Sequence, residues 1–155
     1  MKKLIIAAVL LLAGGSASFA ADPSWFKLSL LDTAAYPQVN AVNGIEVGLI
    51  YSNTPALTGV QGTFIYGRTA KLDGLQIGLV TSADTAAGMQ WGGVNMAKEM
   101  KGAQIGWINY AEKFTGFQLG FVNYAAVMSK GLQIGLVNII KNSTLPVMVI
   151  VNARF

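Results

Sequence analysis

Five phrases run from Gly74 to Asn138: G-L-Q-I-G-L-V-T from Gly74, G-M-Q-W-G-G-V-N from Gly88, G-A-Q-I-G-W-I-N from Gly102, G-F-Q-L-G-F-V-N from Gly116 and G-L-Q-I-G-L-V-N from Gly131. Two weaker copies precede them, G-I-E-V-G-L-I-Y from Gly44 and G-V-Q-G-T-F-I-Y from Gly59. A degenerate eighth unit, L-P-V-M-V-I-V-N, starts at Leu145. Successive units are 14 or 15 residues apart, so residues 44–155 are one internal repeat. Each unit alternates with period two, which is the strand signal. In the unit from Gly116, one face carries Gly116, Gln118, Gly120 and Val122, and the other carries Phe117, Leu119, Phe121 and Asn123. One face is large and apolar. The other is small, with a central amide, and Glu46 shows that this second face accepts a charge.

Charges fall between the units. Uncharged runs such as 74–83, 88–97, 102–111 and 131–140 alternate with Asp84, Lys98, Glu99, Lys101, Glu112 and Lys113. Ten residues of tilted strand reach about 25 Å, the height of the apolar band of an outer-membrane barrel. The leading expectation is therefore an all-β chain, an antiparallel meander closing into a small outer-membrane-type β-barrel of about eight strands. An extra strand is expected near Trp25–Leu31, and a loop over 32–43. In that barrel Glu46, Gln61, Gln76, Gln90, Gln104, Gln118 and Gln133 are the interior polar residues, with Glu46 paired to Arg68 or Lys27 because a buried charge needs a partner. Trp91 and Trp107 lie on the apolar face, and Tyr110 and Tyr124 sit at strand ends, where interfacial aromatics belong.

The alternative is a β-solenoid with 14–15-residue coils. It stacks identical positions, so it turns the glutamines and asparagines into hydrogen-bonded ladders that fix register. Met100, Phe114 and Met128 recur between the units and fill the far side of such a coil, although a barrel also accommodates them. A membrane helix is the third way to read the G-x-x-x-G spacing. It fails because the uncharged runs are about half the length a spanning helix needs.

The first twenty residues read as an address. Lys2 and Lys3 precede an apolar run from Leu4 to Ala13, and Ser18-Phe19-Ala20 ends in small residues. This is the pattern of a secretory signal peptide over residues 1–20, which leaves residues 21–155 as a single β-repeat domain. Its removal lowers the formal net charge from +4 by the two lysines. The remaining cations are scattered, so no nucleic-acid stripe is formed. The 155-residue chain has no cysteine and no histidine, and only 12% of it is charged. Disulfides, thiolate metal sites and imidazole-based catalysis are excluded. Most carboxylates lie in connectors, so no catalytic residue, cofactor or metal is expected.

The chain ends on Phe155 after the alternating Val147, Val149, Val151 and Ala153. A terminal aromatic on such a strand resembles the closing-strand signal of bacterial outer-membrane barrels, which makes Phe155 a candidate assembly signal and, by that resemblance, implies the outer-membrane assembly machinery as a partner. The G-L-Q-I-G-L-V-N phrase resembles the units of exported bacterial surface-repeat proteins. That resemblance implies an envelope or surface location and carries no catalytic residues. The functional expectation is a non-enzymatic outer-membrane or surface β-protein in contact with membrane lipid, with a structural or narrow-pore role. The alternative is a secreted or periplasmic β-solenoid that binds a partner.

Overall fold

The computed structural model describes residues 23–32 and 34–155, so the signal-peptide assignment lies outside the described residues. The described chain is all β, and it forms a β-solenoid of about 7 turns rather than a closed barrel. Its elements are β1 (Ser24–Leu31), β2 (Ala34–Tyr36), β3 (Ala41–Gly48), β4 (Tyr51–Leu119), β5 (Val122–Ile140) and β6 (Val147–Arg154), paired in the order β2-β1-β3-β4-β5-β6. The long β4 is a continuous spiral of coils. Neighbouring coils are parallel and in repeat register. Gly44 pairs with Gly59, Glu46 with Gln61, Asn109 with Asn123, and Gln118 with Gln133.

Parallel pairing replaces the expected meander for a reason seen in the connectors. Met100, Phe114 and Met128, together with Leu57 and Leu72, are fully buried and form one interior row. Ala83, Ala97, Ala111 and Ala125 form a second. The connector residues Met100, Phe114 and Met128, which a barrel would place at the start of its next strand, thus belong to the core. Only a chain that closes one full coil per repeat brings them to the same interior as the glutamines.

Glycine stands at the first corner of every unit from Gly44 to Gly131 and at the second corner of all of them but one, where Thr63 takes its place. At the first, Gly102 has φ +132°, and a Cβ there would lie 2.0 Å from the carbonyl oxygen of Gly88. At the second, a Cβ on Gly106 would lie 2.1 Å from the oxygen of Gly92. Coils stack about 4.8 Å apart, and at these corners backbone faces backbone with no room for a side chain.

The same constraint explains where the repeat stops. The unit at Leu145 was expected to continue it, but β6 runs antiparallel to β5. Leu145 stands where every earlier unit has its first-corner glycine, and a Cβ on the preceding corner residue, Gly131, would already meet the Gly116 oxygen at 2.4 Å. Val147 stands where the amide is needed. The chain turns over residues 141–146 and reverses. At the other end, β1 forms as expected and occupies the coil position before β3. The expected loop over 32–43 contains the short antiparallel β2 on β1.

The corner argument makes a contrast testable. Gly102→Ala is expected to destabilise the protein by about 2–4 kcal/mol or to abolish folding. Gly62→Ala, where the nearest atom to the new Cβ is 4.0 Å away, is expected to change stability by less than about 1 kcal/mol. Denaturant midpoints of the two variants measure the difference.

Candidate apolar docking face

The interior polar residues come first, because they decide what is left outside. All of Glu46, Gln61, Gln76, Gln90, Gln104, Gln118 and Gln133 are fully buried. They form a single head-to-tail ladder. Each Nε2 donates to the Oε1 of the preceding coil: Gln76 to Gln61 at 2.6 Å, Gln90 to Gln76 at 2.9 Å, Gln104 to Gln90 at 2.8 Å, Gln118 to Gln104 at 2.7 Å and Gln133 to Gln118 at 2.6 Å. The second N–H of each amide reaches across the coil to a carbonyl six residues on, as Gln104 does to Tyr110 at 3.2 Å.

The ladder ends on a charge. Gln61 Nε2 donates to Glu46 Oε2 at 2.9 Å. Glu46 Oε1 accepts from Thr54 at 2.6 Å and from Ser52, and lies 3.1 Å from Lys27 Nζ. Lys27 occupies the glutamine position of the preceding coil and is itself buried. Of the two partners expected for Glu46, the structure selects Lys27. Arg68 is on the outer surface and lies 3.7 Å from Asp84.

A second ladder runs with the opposite polarity. Thr81 donates to Asn95 Oδ1 at 2.7 Å, and Asn95, Asn109 and Asn123 each donate to the Oδ1 of the next coil at 2.8 Å. The last rung, Asn138, donates to the Gly135 carbonyl at 2.8 Å. These residues are structural, as the hydrogen-bonded ladder reading expects. They do not line a pore.

With amides, alanines and one apolar row filling the narrow interior, the large apolar residues have no place inside. The face that carries Trp91, Trp107, Leu119 and Phe121 is the outer surface. Trp91 and Trp107 are 57% and 62% exposed. Ile45, Leu49, Ile50, Val60, Phe64, Ile77, Leu79 and Leu136 extend the same face along the solenoid. Tyr110 and Tyr124 stack face to face, with ring centroids 5.0 Å apart. Soluble monomers seldom expose contiguous apolar patches of more than a few hundred Å² (~300–600 Å²).

A groove of about 880 Å³ runs along this face. One wall is Ile77, Trp91, Ile105, Leu119 and Ile134; the other is Leu79, Trp107, Phe121 and Leu136. The corner glycines Gly78, Gly92, Gly106, Gly120 and Gly135 form the floor between them, and Ile150 of β6 closes one end. Gly93 departs from the repeat in the second wall. A Cβ on it would lie 3.5 Å from the Trp107 ring, which covers the place of the missing side chain. No lining residue is charged or carries a polar side chain other than the indole N–H groups.

The opposite surface is polar. Asp84 lies 2.8 Å from Lys98, and Glu99 lies 2.6 Å from Lys113, each pair joining adjacent coils. The hydrogen bond from Lys98 holds the Asp84 carboxyl below the usual carboxylate range. That pair therefore supports the fold above the ordinary Asp pKa, and the support fades as pH falls below it; exposed pairs of this kind contribute little. No group of His, Cys, Asp and Glu suited to a metal exists among the described residues.

The groove was not read from the sequence, although its signal was present: a glycine between two large apolar residues, repeated at every second corner. Phe155 stands 93% exposed beyond β6, a strand that among the described residues pairs only with β5. Compared with protein-family models, with curated proteins and with solved structures, the chain matches none.

The ion pair at the ladder's end provides a test of its role. Lys27→Met leaves the Glu46 carboxylate buried without its cation and is expected to cost about 3–5 kcal/mol. Adding Glu46→Gln to Lys27→Met extends the amide ladder by a rung and is expected to recover more than half of that loss. Thermal or denaturant unfolding of both variants against the parent reads this directly.

Proposed function

We propose that the protein is an exported, non-enzymatic β-solenoid binding module that docks on membrane lipid at the cell envelope through its apolar face. The observation that carries this reading is the distribution of side chains around the coil. Trp91, Trp107, Phe121 and Leu136 lie on an uncharged outer face with a groove, while Lys98, Lys101, Lys113 and the connector carboxylates occupy the other side. A body that is apolar along one side and charged along the other lies in an interface with its apolar side in the acyl region. Indole rings at the boundary suit the headgroup level. The groove volume is in the range of sites that hold a single apolar molecule, so acyl chains are the chemistry it accepts.

The leader-like residues 1–20 support export, and the resemblance to surface-repeat proteins supports the envelope location. The glutamine and asparagine side chains inside the coil bond to one another along its length, which gives them a structural role. Docking on lipid replaces spanning it, since β6 pairs along one edge and closes no ring.

Phospholipid vesicles test the proposal. The exported chain is expected to co-sediment with them, with its tryptophan emission shifting to the blue as Trp91 and Trp107 leave water. Trp107→Glu combined with Phe121→Glu is expected to lower vesicle affinity at least tenfold while far-ultraviolet circular dichroism stays unchanged. A parent chain that remains in the supernatant, with unshifted emission, overturns the reading.

A further inference from the structure

The two ends of the solenoid are finished differently. At the N-terminal end, β2 is three residues long and leads to Pro37, and the buried charge of Lys27 points inward from β1. Short strands, proline and inward charges are the devices that keep a sheet edge from pairing with another chain. The C-terminal end has neither a short strand nor an inward charge, and its proline, Pro146, lies outside β6. β6 is eight residues long, pairs with β5 on one side and with nothing among the described residues on the other. Val147 to Val151 are all exposed and apolar, with Val149 at 74%, and no proline interrupts the strand. An open apolar edge of this length is a template for another strand.

We infer that β6 is a homotypic docking edge, which pairs antiparallel with β6 of a second copy of this chain about a two-fold axis. Three observations select a second copy as the occupant. First, the reversal of β6 against β5 fits an isologous contact: a two-fold axis across the edge continues the sheet as β5-β6-β6-β5 with every neighbour antiparallel. Second, the charges permit it. Arg154 is the sole charge of β6 and lies at its end. Pairing the strand with itself sets the two Arg154 side chains at opposite ends, about 20–25 Å apart at the usual strand rise, well beyond the screening length. Third, Ile150 forms both the centre of this edge and the closed end of the groove. At Ile150, whose φ is 69°, β6 is locally irregular, and its register against β5 shifts between Gly135 and Asn138. The two-fold places Ile150 of each copy beside the other and joins the two apolar faces into one longer surface.

The contact does not depend on lipid. Because the chain contains no cysteine, single Val149→Cys, Ile150→Cys and Val151→Cys variants each report on the edge under mild oxidation. At least one is expected to give a disulfide-linked dimer, and Thr115→Cys, on a connector of the opposite side, is expected to give none. By analytical ultracentrifugation at micromolar concentration, the parent is expected to sediment as a dimer. Val149→Lys, which adds an edge charge at an exposed position, is expected to halve the mass without altering circular dichroism. A monomeric parent overturns the inference, and so does a dimer that survives Val149→Lys with no cross-link at 149–151. The Trp107→Glu and Phe121→Glu variant separates the two proposals: it is expected to lose vesicle binding and to keep the dimer.

Discussion

A buried amide has two donors and an acceptor, and each one left unpaired costs about 1–3 kcal/mol. In this chain that constraint sets the register of everything else. A glutamine at the same place in each coil from Gln76 to Gln133 satisfies it by reaching one coil back, and its second donor ties the two sides of its own coil together. The asparagine ladder solves the same problem with reversed polarity. A slip of one residue would send every amide outward and drive the large apolar residues into an interior sized for alanine. The ladders therefore specify parallel stacking by an amount that grows with each added coil. Chains of aligned amides also polarise one another, and Glu46 fixes the direction in which the glutamine chain points.

Period two, the repeat length, the two faces as far as the second corner and the strand at Trp25–Leu31 were legible in the sequence; past that corner the alternation shifts, so Asn123, read on the apolar face, is buried in the coil. The choice between barrel and solenoid was not, because alternation around one strand is the same whether its neighbours run parallel or antiparallel. What separates them is the fate of Met100, Phe114 and Met128, and the sequence alone allows those residues either role. The reversal at β6 was readable in principle. Leu145 replaces a first-corner glycine whose Cβ has no room, but this can be recognised only once the backbone contact at that corner is known. Likewise, Lys27 precedes the first repeat phrase and shows no sign of lying in the glutamine column until β1 is seen stacked on β3.

The two ends of the glutamine ladder are chemically unequal. At Glu46 the chain of donors meets a carboxylate, which is held by two hydroxyls and an ammonium group. At Gln133 the last Oε1 is buried without a partner among the described residues. Asn152, brought opposite by the antiparallel β6, directs its amide instead to the Asn138 carbonyl at 3.4 Å. The charged end is the stronger anchor and the neutral end the weaker. Local opening is therefore expected to start from the last coil, where β6 also lacks a second neighbour.

Narrowness of the interior is what ties fold to function. A globular domain hides its large apolar residues and shows its amides to water. Here the amides must be inside to set register, and the coil they define has space for one apolar row and one alanine row. Tryptophan, phenylalanine and leucine are then excluded from the core by volume, not by polarity. Such residues on an outer face contribute little to folding, so the fold does not account for their presence across successive coils. The glycine corners add depth, because two splayed walls over bare backbone make a groove where a sheet alone would be flat. A stable spine of hydrogen bonds thus allows a surface that would be a liability on an ordinary domain, and the lipid docking proposed above would supply a reason for keeping it.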